Sequence, residues 1–286
     1  MLRLLKGSLV LILFSTLSAE MYLPLLIRDA QTWGFGNPRF VLISGPTAVT
    51  SNPTRINGRD GISIYGSHSF WFLGMRKEQL ALSRRFSIFD LGVSIDYFDY
   101  GDLEEYPDYP SGEPIGTFPA FDFVVTPAVS IKIPRGRMGL NCSYLYELIY
   151  DESYNSYCLD LTLDYQPIDR MNFVIGLGDF NPGIRKDTNR FYPPVTLGGG
   201  FDYRLRELTF GAELGYLIHS EDWTISAGAK YAIQPIVIRA GLFYLDKITP
   251  TVGIGYASKM IQVDLGLASH PHHLGLTEHI GVGINF

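Results

Sequence analysis

Four of the six histidines crowd one short stretch, at His270, His272, His273 and His279. Imidazole nitrogens are the donors that zinc and copper take, so the cluster has the right atoms for a metal. The setting argues against one. Pro271 interrupts the run, no cysteine is near, and Glu278 is the sole adjacent acid. The segment reads as an outer loop, and neither a metal nor a cofactor is expected. A second candidate is the run from Asp99 to Glu113, with Asp99, Asp102, Glu104, Glu105, Asp108 and Glu113 and no base among them. Carboxylate oxygens suit hard divalent cations, but a solvated loop is the simpler reading.

The remaining polar residues give no enzyme. Gly198-Gly199-Gly200 and the pairs Gly176/Gly178 and Gly253/Gly255 are not followed by the Lys-Ser/Thr of a phosphate loop. No nucleophile elbow and no pair of zinc-binding histidines on a helix is present. The net charge of −6 comes without a basic stripe, so nucleic acid is not an expected partner. What stands out is a set of charges spaced singly among apolar neighbours: Asp122, Lys132, Asp160, Asp164, Asp202, Arg204, Glu213, Lys230 and Arg239. If these share the inside of a sheet, they either line a solute path or form a fixed ion-pair network that holds a plug.

The elements that would position them are strands. Phe89, Leu91, Val93, Ile95 and Tyr97 alternate with Asp90, Gly92, Ser94 and Asp96. Tyr157, Leu159, Leu161, Leu163 and Tyr165 alternate with Ser156, Cys158, Asp160, Thr162 and Asp164. The pattern recurs to the end of the chain, as expected where one face of each strand meets lipid and the other a lumen. Segments 61–72 and 78–83 alternate more weakly. The sum is about fourteen strands, an all-β transmembrane antiparallel barrel. Short turns (134–137, 166–170, 205–207, 232–235, 257–259) fall between longer ones (99–116, 181–194, 269–278), as in barrels with short periplasmic turns and long outer loops. A soluble sandwich would also alternate. Tyr97, Tyr165, Tyr216, Trp223, Tyr231 and Tyr244 at strand ends, and a polar face rich in glycine, favour the barrel. The same parity puts Cys142 on the lipid face and Cys158 on the lumen face, which rules out a disulfide on geometry and predicts two free thiols.

The ends of the chain add a route. Arg3 and Lys6, the apolar run from Leu9 to Phe14, and Ala19-Glu20 read as a secretory signal over residues 1–19. No later apolar run reaches the roughly 20 residues that a spanning helix needs. Phe286 ends a strand with Ile284 and Val282 on the same face, resembling the signal read by the outer-membrane barrel assembly machinery. The cell outer membrane is therefore the expected location, with its lipids as partners. Between the signal and the barrel (61–286), residues 20–60 are of a size to act as an N-terminal hatch inside the lumen.

Within that segment Asn52-Pro53, followed by Thr54, and the stretch Trp33-Gly34-Phe35-Gly36 resemble the hatch of the PorV/PorQ family, itself similar to FadL-type barrels. Tyr97-Phe98-Asp99-Tyr100-Gly101 resembles the Tyr-x-Asp-Tyr-Gly that closes a strand in that family. The resemblance implies a FadL-like barrel with an N-terminal hatch and Asn52 and Pro53 as its motif. It implies a role in type IX-like protein secretion, with secretion-system subunits or secreted proteins as partners. The alternative it implies is uptake of hydrophobic small molecules, with a hydrophobic ligand as partner.

Overall fold

The computed structural model describes residues 28–56, 61–107, 113–186, 189–192, 195–271 and 274–286. The expected signal peptide, the first residues of the expected hatch and His272 and His273 lie outside them. The strands are β1 (Ile62–Phe70), β2 (Arg76–Arg85), β3 (Phe89–Asp99), β4 (Leu103–Glu105), β5 (Gly116–Phe118), β6 (Ala120–Ile133), β7 (Gly136–Ile149), β8 (Glu152–Ile168) and β9 (Met171–Phe180). They continue with β10 (Ile184–Lys186), β11 (Asn189–Phe191), β12 (Thr196–Leu205), β13 (Leu208–Leu217), β14 (Asp222–Ile233), β15 (Ile236–Tyr244), β16 (Ile248–Ala257), β17 (Ile261–His270) and β18 (Gly275–Asn285).

Fourteen of these close into one antiparallel barrel, each paired to its neighbour in the chain, with β4–β5 and β10–β11 as small hairpins in two loops. The seam is β1 on β18, where Ser63 faces Asn285 and Phe70 faces Glu278. Closure leaves no strand edge, which is what a sheet needs in hydrocarbon, where an unpaired N–H or C=O costs several kcal/mol.

Residue parity decides which side each side chain takes. On β2, Lys77, Gln79, Ala81 and Ser83 are buried, while Glu78, Leu80 and Arg84 are exposed. On β18, Thr277, His279 and Gly281 face in and Ile280, Val282 and Ile284 face out. The outward residues form a continuous belt of exposed leucine, isoleucine, valine and aromatics, from Leu80 and Leu91 round to Leu265 and Ile284. An apolar surface of that extent on a monomer requires lipid around it. The faint alternation over 61–83 has a simple cause. Gly66 and His68 occupy outward positions on β1, Tyr65 an inward one, and Glu78 lies outward near the mouth.

Two expectations change. His279 is no loop residue: β17 runs to His270 and β18 begins at Gly275, so His279 lies inside β18. The ladder extends because inward Ala268 and Thr277 continue the alternation on both strands. Strand β8 is also longer than its alternation suggests, because its turn to β7 at Tyr150 and Asp151 is tight and lifts this wall at the long-loop end.

Candidate functional site: a lumen closed by its own N-terminal segment

Residues 28–56 lie inside the barrel and touch strands around the whole circumference. Their local structure is set by side-chain caps. The Asp29 carboxylate accepts the N–H groups of Gln31 (2.8 Å) and Thr32 (3.2 Å), and so starts the single turn α1 (Ala30–Trp33). Two 3-10 turns follow, Pro46–Thr50 and Pro53–Arg55. Asn52 caps the second. Its Oδ1 accepts the Thr54 N–H (3.1 Å) and hydroxyl (2.5 Å), and Pro53 brings the φ that a first turn wants. The Asn52 Nδ2 donates to the Phe40 carbonyl at 2.5 Å, stitching the two halves of the segment together. The Asn52-Pro53 pair is therefore the internal brace of this segment.

Charge ties the segment to the wall. The Arg39 guanidinium bridges Asp160 of β8, at 2.9 Å, and Asp179 of β9. Arg55 bridges Asp164 of β8 at 2.8 Å and Asp202 of β12 at 2.5 Å. Glu213 of β13 accepts three consecutive backbone N–H groups, from Arg39 (2.6 Å), Phe40 (2.7 Å) and Val41 (3.1 Å). Asn141 of β7 donates to the Val49 carbonyl at 2.8 Å. Most of these groups are buried, so removing one partner would strand the other in a low dielectric at a cost of about 3–5 kcal/mol. The β8–β9 ladder shifts register at the first of these clamps, between Leu159 and Leu161. There the Asp160 carboxylate takes over the Asp179 N–H at 2.6 Å.

Shape completes the fit on the other side. Glycines pair across strands as Gly228 with Gly241 and Gly253 with Gly266, giving β14–β17 a flat inner surface. The backbone of 30–36 lies directly on it. A Cβ at Gly241 would fall 2.1 Å from the Phe35 carbonyl carbon, and one at Gly228 2.1 Å from its oxygen. The Phe40 ring is held between Gly176 and Gly198 in the same manner, with Cβ positions 2.5 and 2.8 Å from ring atoms. Gly36, at φ +92°, turns the chain where a side chain would be both strained and crowded by Leu242. Above it Trp33 stacks on His279, with centroids 5.1 Å apart and planes at 13°, and packs against Trp71, Phe243 and His270.

The nine charges expected on the inner face all hold that parity, but not one role. Asp160, Asp164, Asp202 and Glu213 hold the segment directly. Arg239 pairs with Asp264 at 2.7 Å and lies over the Phe35 ring, as does Lys230 at 5.9 Å. Asp122 accepts from the Tyr100 hydroxyl at 2.8 Å. Lys132 and Arg204 stand apart: both are exposed at the short-turn rim, beyond the end of the filled lumen. Lys132 donates there to the Ser87 carbonyl at 2.8 Å. Sequence reasoning missed Arg39 and Arg55, which sit in a segment without periodicity. It also left out Asp96 and Asp264, although their places in the alternation marked them as inward, and Lys77, which lies just ahead of the expected segment 78–83. Lys77 and Asp96 pair at 2.7 Å.

The remaining candidates do structural work. His270 and His279 both lie by the Thr277 hydroxyl, at 3.0 and 3.2 Å, and His279 also by Ser69 at 2.8 Å. No metal-binding group is found among the described residues. Asp99 of the acidic run pairs with Arg76 at 2.8 Å and accepts the Gly101 N–H at 2.9 Å, so the Asp-Tyr-Gly stretch closes a turn. Cys142 and Cys158 are free thiols set opposite Leu159 and Ser143, on opposite faces. Phe286 hydrogen-bonds through its N–H to the Ile62 carbonyl at 2.9 Å and extends the lipid face of Val282 and Ile284 past the seam.

A closed, lipid-belted barrel of fourteen strands with its lumen occupied is an outer-membrane β-barrel fold of the plugged kind. Solved structures of transporters share this fold. The toluene transporter TbuX of Ralstonia pickettii aligns over 92% of this chain and 100% of its own, with a TM-score of 0.68 at 12% identity. The toluene transporter TodX of P. putida aligns over 92% and 99%, with a TM-score of 0.69 at 11% identity. A FadL homologue of Pseudomonas aeruginosa aligns over 91% and 98%, with a TM-score of 0.66 at 11% identity. At such identities the likeness is one of fold. No family model and no curated protein matches the sequence.

Proposed function

We propose that the chain is an outer-membrane channel for hydrophobic small molecules, gated by residues 28–56. The observation that carries this reading is the double clamp of Arg39 and Arg55 on buried wall carboxylates, which holds a lumen-filling segment in place by ion pairs. The likeness in fold to toluene transporters supports the same reading. A cavity of about 30 Å³ lies near the long-loop mouth, between Arg28, Asn37, Phe40, Glu213, Leu217 and Phe243. That is room for about two waters, whereas benzene needs a void of roughly 150 Å³. A solute therefore passes only after part of the segment moves.

The test is uptake of radiolabelled toluene and of a medium-chain alkane by intact cells with and without the chain. Faster uptake with the chain, lost in a strain carrying an unrelated barrel instead, supports the channel. Equal uptake in all strains overturns it. The secretion role rests on the resemblance of Asn52-Pro53 and Tyr97–Gly101 to the PorV/PorQ pattern. In this fold both stretches already serve local turns, and the channel accounts for more of the molecule. Loss of surface-exported proteins on deletion of the gene, with uptake unchanged, would reverse that preference.

A further inference from the structure

The two rims of the barrel differ in charge. At the long-loop rim the exposed ionised groups are mainly acids, among them Glu78, Glu104, Glu152, Glu221, Asp222 and Glu278. Among the described residues the short-turn rim is basic, and most densely so on one side, with Lys259 the exposed cation opposite. Four turns that are consecutive around the wall, β2–β3, β6–β7, β8–β9 and β12–β13, carry the exposed cations Arg84, Lys132, Arg135, Arg170, Arg204 and Arg206, of which Lys132 and Arg204 hold inward positions and the other four are open to the outside of the rim. The exposed acids of the same arc are Asp169 and Glu207, so six positive charges face two negative ones. Among the described residues none of the six is ion-paired. Lys132 and Arg135 make contacts only to the carbonyls of Ser87 (2.8 Å) and Pro167 (3.5 Å).

The arc also has an apolar margin. Arg84 takes an outward position on β2 below Leu80 and Leu82, with its guanidinium 5.1 Å from the centre of the Phe86 ring. Ile88, Ile168 and Leu205 are exposed within or beside the same turns, by 67%, 58% and 47%. A row of cations interleaved with exposed apolar side chains matches one interface in particular. Acyl chains cover the apolar atoms while phosphates sit at the height of the cations. A soluble acidic partner would leave Ile88, Ile168 and Leu205 without that cover.

We propose that the short-turn rim from β2 to β13 binds anionic phospholipid headgroups of the adjacent leaflet. The lipid class is one with a phosphodiester and a net negative charge, such as phosphatidylglycerol. Binding there anchors the sector of wall that contains the Asp160, Asp164 and Asp202 clamps. The inference stands whether or not the barrel conducts a solute, and its test involves no transport.

The experiment is native mass spectrometry of the full mature chain, equilibrated in detergent with equimolar phosphatidylglycerol and phosphatidylcholine of matched chains. One cation near an anionic surface changes partitioning roughly fivefold. The wild-type barrel is therefore expected to retain phosphatidylglycerol over phosphatidylcholine by fivefold or more, with the ratio falling as salt is raised from low to high. The variant R84Q/R135Q/R170Q/R206Q, its folding verified by the heat-dependent gel shift of a closed barrel, is expected to bring the ratio near unity. A wild-type ratio near unity, or one insensitive to salt, overturns the proposal without reference to any variant. So does a folded variant that keeps the full preference, because the lipid then sits elsewhere. Capture of a periplasmic protein by a rim that shows no lipid preference would likewise overturn it.

Discussion

Replacing Arg39 with alanine removes the side chain that clamps residues 28–56 to Asp160 of β8 and Asp179 of β9. In the native barrel its guanidinium lies between Asp160 and Asp179, and all three side chains are at most 6% exposed. The variant leaves two buried carboxylates facing each other across the register shift. Breaking a buried pair in this way costs about 3–5 kcal/mol. At 1.4 kcal/mol per factor of ten, the closed arrangement should lose at least about a hundredfold against an open one. Planar-bilayer recordings should show the wild type almost silent and R39A with frequent openings. Urea unfolding followed by the gel shift should fall by a comparable amount. A neutralised triad, R39M/D160N/D179N, supplies the control: with no stranded charge, about half or more of the loss should return. If R39A is as silent and as stable as the wild type, the clamp does not hold the segment. If R39A leaks and the neutralised triad leaks equally, charge is not the reason.

Three further outcomes follow from the same geometry. Gly241→Val puts atoms where the Phe35 backbone lies, and overpacking of this kind costs about 1–3 kcal/mol; openings should rise in bilayers while the barrel keeps its gel shift. Glu213→Ala deprives three buried N–H groups of a charged acceptor, at about 1.5–3 kcal/mol for a charged hydrogen bond, whereas Glu213→Gln keeps one acceptor oxygen and should lose less; urea midpoints order the two. Deleting Phe286 removes the terminal aromatic and its hydrogen bond to Ile62, and the folded fraction in outer membranes, read from the gel shift after pulse labelling, should drop severalfold if the terminal strand is the assembly signal.

The alternation of apolar and small polar residues was enough to find the strands, because side-chain direction on a strand depends only on parity. Residues 87–97 and 157–165 could be sorted into lipid and lumen faces one by one, and the burial along β3 and β8 follows that sorting. Turn spacing gave the up-and-down order for the same local reason. Where the pattern was weak, as over 61–83, it was weak because Gly66, His68 and Tyr65 break the contrast between faces and not because the strand is missing.

What lies inside the barrel was another matter. Residues 28–56 form short turns without a period, so no face could be assigned to Arg39 or Arg55. Their partners lie 109 to 147 residues away in the chain, and Glu213 meets the Arg39 N–H across 174 residues. The glycines of β14–β17 were visible as glycines, but their use as a bed for the Phe35 backbone depends on four strands being brought level by closure. His279 was misread for a related reason: its place in β18 is fixed by pairing with β17 and β1, and only the closed barrel supplies both. The sequence alone determined the wall, since lipid acts on every strand in the same way. Only the tertiary structure decided the contents, since each contact there joins one particular residue to one distant partner.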